Sequence, residues 1–317
     1  MSSKRIQFDR YGGPTEMYLG DYEPPPLKRD QVRVRARAAA VNPLDWRQRN
    51  GATRLLMGRH KAKGMGSDFA GIVDAVGDRV DNVRVGDEVF GTMNFLRPGA
   101  FAEVLVTESS RVAKKPSRLS FAEAACLPIP ATVAWAALLH RAKISAQSRV
   151  FVNGCMGAVG SMAVQLAKLH GARVTGTTNR ASLEVARSVG VETALDYRDP
   201  ALWEGLAPFD VVFDTVGSLD VSFGLSHLTP TGSFVDINPS FRRVLRGLGS
   251  RRYKLAFATM ATDRLPEIGA LAQQGVLKPT IGLGAALSDA VATIAAVELG
   301  QRPPGRVVIT MGPQGSE

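Results

Sequence analysis

Hydrophobic and polar positions change their rhythm once along the chain. From the N-terminus to about residue 125, short apolar runs alternate with charged residues and are cut by glycine. Gln31–Ala38 sets Val32, Val34 and Ala36 against Arg33, Arg35 and Arg37, the period-two pattern of a half-exposed strand. Gly71–Gly77 and Asp87–Gly91 are further short strands between glycines, and Phe101–Thr107 is another. Pro24–Pro26 is a surface loop. These residues predict a compact, mostly β, barrel-like domain.

From Ser120 the period lengthens. Ser120 and Glu123 have the spacing of a capping box, which opens a short helix. Thr132–Leu139 continues as helix. Strands and helices then alternate: strand Val150–Val152, helix 160–169 with Met162, Val164, Leu166, Ala167 and Leu169 on its apolar side, and strand Arg173–Gly176. Helix 181–188, a strand at Leu195, strand Val211–Asp214, helix 219–228 and strand Ser233–Ile237 follow. This alternation predicts an α/β, doubly wound parallel sheet with right-handed crossovers. Leu265–Gln274 is one more helix. After Pro279 the chain is expected to return to the first domain, with a helix over Ala285–Leu299 and a closing strand over Arg306–Met311.

Between the strand Val150–Val152 and its helix lie Gly154, Gly157 and Gly160. Strand, glycine turn and helix in that order form the first half of a dinucleotide-binding unit. The glycines permit close approach of backbone to a pyrophosphate, and the helix N-terminus presents amide donors to it. Gly157, Ala158 and Val159 are therefore cofactor-binding candidates. The flanking strands distinguish this turn from an ordinary connection. The second strand ends Gly176-Thr177-Thr178-Asn179-Arg180, with no acid where NAD enzymes place one against the ribose hydroxyl. Thr177, Thr178, Asn179 and Arg180 are the candidates at that spot. A guanidinium can fork onto a 2′-phosphate, so NADPH is favoured over NADH. The alternative for Arg180 is a solvated surface side chain.

Composition sharpens this in three places. The chain has 317 residues, 45% of them hydrophobic, which suits two domains. No apolar run reaches the roughly 18 residues of a membrane span, and the first residues lack a signal-peptide core. Two cysteines, Cys126 and Cys155, have no metal-ligand spacing, and a reducing cytoplasm is expected. The net charge of +10 suits an anionic cofactor, and nucleic-acid binding is not favoured on charge alone. Trp46–Gly64 carries Arg47, Arg49, Arg54, Arg59, His60, Lys61 and Lys63 and no acid. That field suits an anionic acceptor, and His60 has an ordinary pKa near 6.5, fit for protonating a reduced product. The cluster Arg242, Arg243, Arg246, Arg251, Arg252 and Lys254 is read as a solvated face.

Val41–Asp45, Gly66–Gly71, Val85–Gly91, Gly99–Glu103, the glycine turn, Leu195–Arg198 and Gly305–Val308 together resemble the zinc-independent medium-chain dehydrogenase/reductases of the quinone oxidoreductase group. The resemblance covers nearly the whole chain. It implies a GroES-like β-barrel catalytic domain formed by residues 1–125 and 276–317, and a Rossmann NADPH-binding domain over residues 126–275. It also implies a cleft at their junction, and a homodimer. Zinc-dependent relatives bind catalytic metal through residues whose positions are taken here by Asn42, Ser67 and Pro130. That is no zinc ligand set, so catalysis is expected to rest on hydride geometry and hydrogen-bond donors. Asn42 matches the family's asparagine near the reacting carbon, or else forms an Asx-turn before Pro43. Tyr197 stands where the family often contacts the 2′-phosphate. Val133 stands beside the shifted Thr132, and Val216, Gly217, Ile237 and Asn238 are expected to line the carboxamide side. The expected activity is hydride transfer from NADPH to a quinone or activated enone, with Asn42 and His60 as catalytic candidates. The alternatives are a carbonyl or enoyl-thioester reductase, or a non-catalytic NADPH-binding scaffold or RNA-binding protein.

Overall fold

The computed structural model describes residues 2–58, 62–301 and 303–312. Two compact units divide the chain. One takes Met1–Ile129, Thr262–Gln273 and Pro279–Glu317, the other Pro130–Ala261 and Gln274–Lys278.

The first unit opens with β1 (Ser3–Phe8) and β2 (Met17–Tyr22), followed by β3 (Gln31–Ala40), β4 (Lys63–Gly64), β5 (Asp68–Val76), β6 (Glu88–Thr92), β7 (Val104–Glu108) and β8 (Val112–Lys114). In β3 the alternation legible in the sequence holds: Val32, Val34 and Ala36 are buried while Arg35 and Arg37 are exposed. The predicted capping box also forms. The amide of Glu123 donates to Ser120 Oγ at 3.2 Å, and the amide of Ser120 donates back to Glu123 at 2.9 Å. The core is aromatic and branched, with Phe8, Phe69, Phe101, Val34 and Val73 each at most 1% exposed.

The second unit holds β9 (Arg149–Asn153), β10 (Arg173–Thr178), β11 (Thr193–Asp196), β12 (Phe209–Asp214), β13 (Leu228–Asp236) and β14 (Tyr253–Leu255). All pair in parallel, in the spatial order β11-β10-β9-β12-β13-β14. Both faces of such a sheet are covered by helices, so its central strands are buried; Val150, Phe151 and Val152 have no exposed surface. The helix Ala158–Leu169 buries Met162, Ala163, Val164, Leu166 and Ala167. Leu169, expected on the same stripe, is 46% exposed, because it is the last helical residue and lies beyond the sheet-facing turns. Trp203 and Phe209 pack on Phe151, with ring centroids 4.3 and 5.3 Å from it respectively.

The chain then returns to the first unit as β15 (Ile281–Ala286) and β16 (Arg306–Thr310). They complete a sheet ordered β15-β16-β3-β5-β6-β8, with β7 also paired to β3. The helix expected over Ala285–Leu299 is shorter, Ala290–Glu298. Its expected start is strand instead: Ala285 and Ala286 pair with Ile309 and Thr310. Alanine favours helix locally, but pairing with β16 decides the outcome.

Candidate functional site

The sheet of the second unit reverses its winding between β9 and β12, the place where doubly wound folds open a ligand crevice at the carboxyl ends of their strands. Asn153, the last residue of β9, spans that point. Its Nδ2 donates to Asp214 Oδ1 at 2.8 Å and to Ser218 Oγ at 2.9 Å. Its Oδ1 accepts from Thr177 Oγ1 at 2.8 Å. One buried amide thus ties together the ends of β10, β9 and β12.

The turn after Asn153 fits a dinucleotide. A Cβ on Gly160 would lie 2.1 Å from the carbonyl oxygen of Gly154, so only glycine lets the helix start pack onto the turn. Gly157 is the N-cap, no side chain caps the helix, and Gly157, Ala158 and Val159 are not buried. The first amides of a twelve-residue helix are therefore open to an anion. Cys155, in the same turn, is a packing residue: it has no exposed surface, and burial pushes its thiol up to about 11.

At the end of β10 the predicted residues part company. Thr177 is buried, and its hydroxyl is held between Asn153 and the amide of Gly154 at 3.0 Å. Thr178 is buried too, and the side chain of Asn179 accepts from the amide of Ser182 at 3.0 Å. Arg180 is exposed, and its guanidinium pairs with no acid among the described residues. The amide of Tyr197 bonds the carbonyl of Thr178 at 3.0 Å, which sets Tyr197 beside this strand end. Arg198, not singled out by the sequence, places its guanidinium 5.2 Å from the Tyr197 ring centroid. Thr178 pairs with Asp196, so Arg180 and Arg198 each follow a paired strand end by two residues.

On the other side of Asn153 lie the loops after β12 and β13. Val216 is 53% exposed and Gly217 is half-buried, as are Ile237 and Asn238. Asn238 donates from Nδ2 to the carbonyl of Thr215 at 3.0 Å, which joins the two loops. Val133, on the helix Pro128–Trp135, is buried. The sequence reading missed Asn153 and Asp214, although Asp214 ends a strand it had predicted and Asn153 directly follows another.

The first unit holds Asn42, at the N-cap of the helix Pro43–Arg49. It is buried, and its side chain is engaged on every side. Nδ2 donates to Asp68 Oδ2 at 3.0 Å and to the carbonyl of Ala40 at 3.3 Å, while Oδ1 accepts from Arg306 Nη2 at 3.0 Å. Its backbone amide donates to Asp45 Oδ2 at 2.7 Å, and Ser67 Oγ donates to Asp45 Oδ1 at 2.8 Å. Burial raises both carboxyls to about 7; for Asp45 the bonds from Asn42 and Ser67 oppose it, for Asp68 mainly the Arg306 charge. Asn42 is thus the hub of a buried polar network, and an acceptor carbonyl would have to displace one of its present bonds. His60, with Arg59 and Lys61, lies outside the described residues.

Two family profiles match: "Alcohol dehydrogenase GroES-like domain" over residues 28–117 and "Zinc-binding dehydrogenase" over residues 158–237. The chain is 36% identical over 250 residues to a 2-methylene-furan-3-one reductase of Solanum lycopersicum, covering 73% of this chain and 62% of that one. It is 31% identical to a chloroplastic NADPH-dependent alkenal/one oxidoreductase of Arabidopsis thaliana, covering 86% of this chain and 70% of that one. The structure of a quinone oxidoreductase from Coxiella burnetii superposes with a TM-score of 0.87 at 29% identity, over 98% of this chain and 99% of that one. The chain belongs to the medium-chain dehydrogenase/reductase superfamily, in its quinone oxidoreductase-like group.

As a member of that superfamily it is an oxidoreductase, related to quinone and alkenal-one reductases at about 30% identity, and a nicotinamide cofactor is the family's cofactor. One matching profile names zinc, and the donor set here does not fit that metal. Asn42 and Ser67 are amide and hydroxyl groups already bonded, and Pro130 has no donor atom. Among the described residues no group of three or more His, Cys, Asp or Glu side chains could hold a metal ion. Of the cluster read as a solvated face, Arg242, Arg246 and Arg251 are exposed as expected, but two members are corrected: Arg243 is an internal ion-pair residue and Arg252 bonds the carbonyls of Gly232 and Thr229. Acids and carbonyls distant in sequence converge on these side chains.

Proposed function

We propose that this chain is an NADPH-dependent reductase that delivers hydride, without zinc, to a quinone or an activated enone. The observation that carries the cofactor choice is the corner at the ends of β10 and β11: β10 ends without an acid, the carboxylate of Asp196 is held by the amide of Arg198 at 3.0 Å, and Arg180 and Arg198 lie just beyond these strand ends with Tyr197. Two guanidinium groups suit a 2′-phosphate better than a bare ribose hydroxyl. Gly157, Ala158 and Val159 hold the pyrophosphate, and Val216, Gly217, Ile237, Asn238 and Val133 border the nicotinamide. Thr177, Thr178 and Asn179 shape the corner from beneath.

The bound cofactor supplies a hydride. The residues of this chain orient it and answer the negative charge that develops on the acceptor oxygen. Asn42 is the candidate donor: its 3.3 Å bond to the Ala40 carbonyl is the longer of its two, and its release frees one N–H. His60 is the candidate for protonating the reduced product, on the strength of its ordinary pKa. The basic run around it favours an acceptor with a carboxylate or phenolate. Two free, buried cysteines support a reducing compartment. Among the described residues no helix is long and apolar enough to cross a membrane. The outer edge of β14 ends its sheet, which supports the homodimer reading.

The test is hydride tracing. With NADPH deuterated at the reactive carbon, reduction of an enone should place deuterium on the product's β-carbon, and NADH should serve poorly. A product without deuterium, or equal use of NADH, removes the reading.

A further inference from the structure

Arg243 projects from the helix Phe241–Gly247 into the carboxyl ends of β12 and β13, with only 14% of its side chain exposed. Its Nη2 lies 2.8 Å from Asp214 Oδ2 and its Nε 2.7 Å from Asp236 Oδ2. Both carboxylates are fully buried. Its Nη1 donates to the carbonyls of Gly217, at 3.2 Å, and Leu219. One planar guanidinium therefore engages two strand ends and the loop between them, which a point-charge ammonium cannot do.

The carboxylates hold the loops in turn. Asp214 accepts from the amides of Val216, Gly217 and Leu219 at 3.2, 2.8 and 3.1 Å. Asp236 accepts from the amide of Asn238 at 2.8 Å and from Tyr253 Oη at 2.9 Å. The loops also touch: Gly217 has φ +85°, and a Cβ there would lie 2.8 Å from Cβ of Asn238. Burial opposes the Arg243 charge, and Asp236 and Asp214 outweigh it, so its pKa is raised and it stays a cation.

We propose that Arg243 is a positioning residue that fixes the two loops bordering the nicotinamide, Thr215–Ser218 and Ile237–Ser240, through Asp214 and Asp236. The inference rests on the reading that these loops receive the nicotinamide. Arg243 acts on the reactive end of the cofactor and leaves the adenosine end, held beyond β9 at β10 and β11, untouched.

The experiment compares two ligands on the full chain by calorimetric titration: NADPH, and 2′-phospho-ADP-ribose, which lacks the nicotinamide. Arg243→Lys keeps the charge and loses the fork. It should weaken NADPH about tenfold and leave the fragment within about twofold. Arg243→Ala should widen the gap, and if it fails to fold, the lysine variant still decides. Equal weakening of both ligands would make Arg243 a general support of the fold and overturn the proposal. Unchanged binding of both would overturn it as well. A parent protein that binds neither ligand would remove the cofactor reading itself, and the proposal with it.

Discussion

Arg306, at the start of the closing strand, donates from Nη2 to Oδ1 of Asn42 at 3.0 Å. A residue near the end of the chain thereby fixes the turn that opens the helix Pro43–Arg49. The same nitrogen stands 3.7 Å from Asp68 Oδ2, so one cation serves a buried amide and a buried carboxylate. Removing it leaves Asp68 without its counter-charge. Arg306→Ala should cost about 3 kcal/mol of stability near pH 8, and less near pH 5.5, where Asp68 can take up a proton instead. Denaturant melts at the two pH values check this; a cost independent of pH would contradict the pairing.

Asp45 gives a second pH signature. Burial raises its folded-state pKa to about 7 from 3.8. A carboxyl raised in the folded state contributes stability that is present below the unfolded pKa and is lost as pH rises through the folded one. Between about pH 4 and pH 7 the protein should lose stability, with a slope of up to about 1.4 kcal/mol per pH unit from each such proton. Asp45→Asn should flatten that slope by one proton's worth. The change is sterically mild, because the Ser67 hydroxyl can accept from the new amide as readily as it now donates. An unaltered slope in the variant would show that Asp45 does not titrate there.

Gly160→Ala tests the dinucleotide turn. The added methyl would sit 2.1 Å from the Gly154 carbonyl oxygen, so turn or helix must move. The variant should lose NADPH binding by about tenfold or more. A titration showing unchanged affinity in a folded variant would take the turn out of the site.

What could be read in advance was local. The Ser120 capping box, the β3 alternation and the strand–glycine–helix order each depend on residues a few positions apart, and each appears as read. What escaped depends on distant partners. Asp45, Asp68 and Arg306 form one network only because β16 lies against β3. Arg243 looked like surface charge until Asp214 and Asp236 converged on it. Ala285 and Ala286 looked like the start of a helix until β16 paired with them. Asn42 was picked out from the sequence, but the partners that occupy its amide were not.

Arg180→Ala tests the phosphate corner. The loss of a charge-assisted pair is worth about 1.5–3 kcal/mol, or roughly ten- to a hundredfold in affinity. NADPH should weaken by that amount and NADH hardly at all. Because Arg198 stands in the same corner, Arg180→Ala with Arg198→Ala should lose more than either alone. Equal loss for both cofactors would assign Arg180 another role.

The most direct measurement of the central claim is NADPH oxidation, followed by absorbance with a panel of quinones and enones in the continuous presence of a chelator. Cofactor should be consumed in step with reduced acceptor, at a rate the chelator leaves unchanged. Tight NADPH binding without consumption by any acceptor, or activity lost to the chelator and restored by zinc, would contradict it.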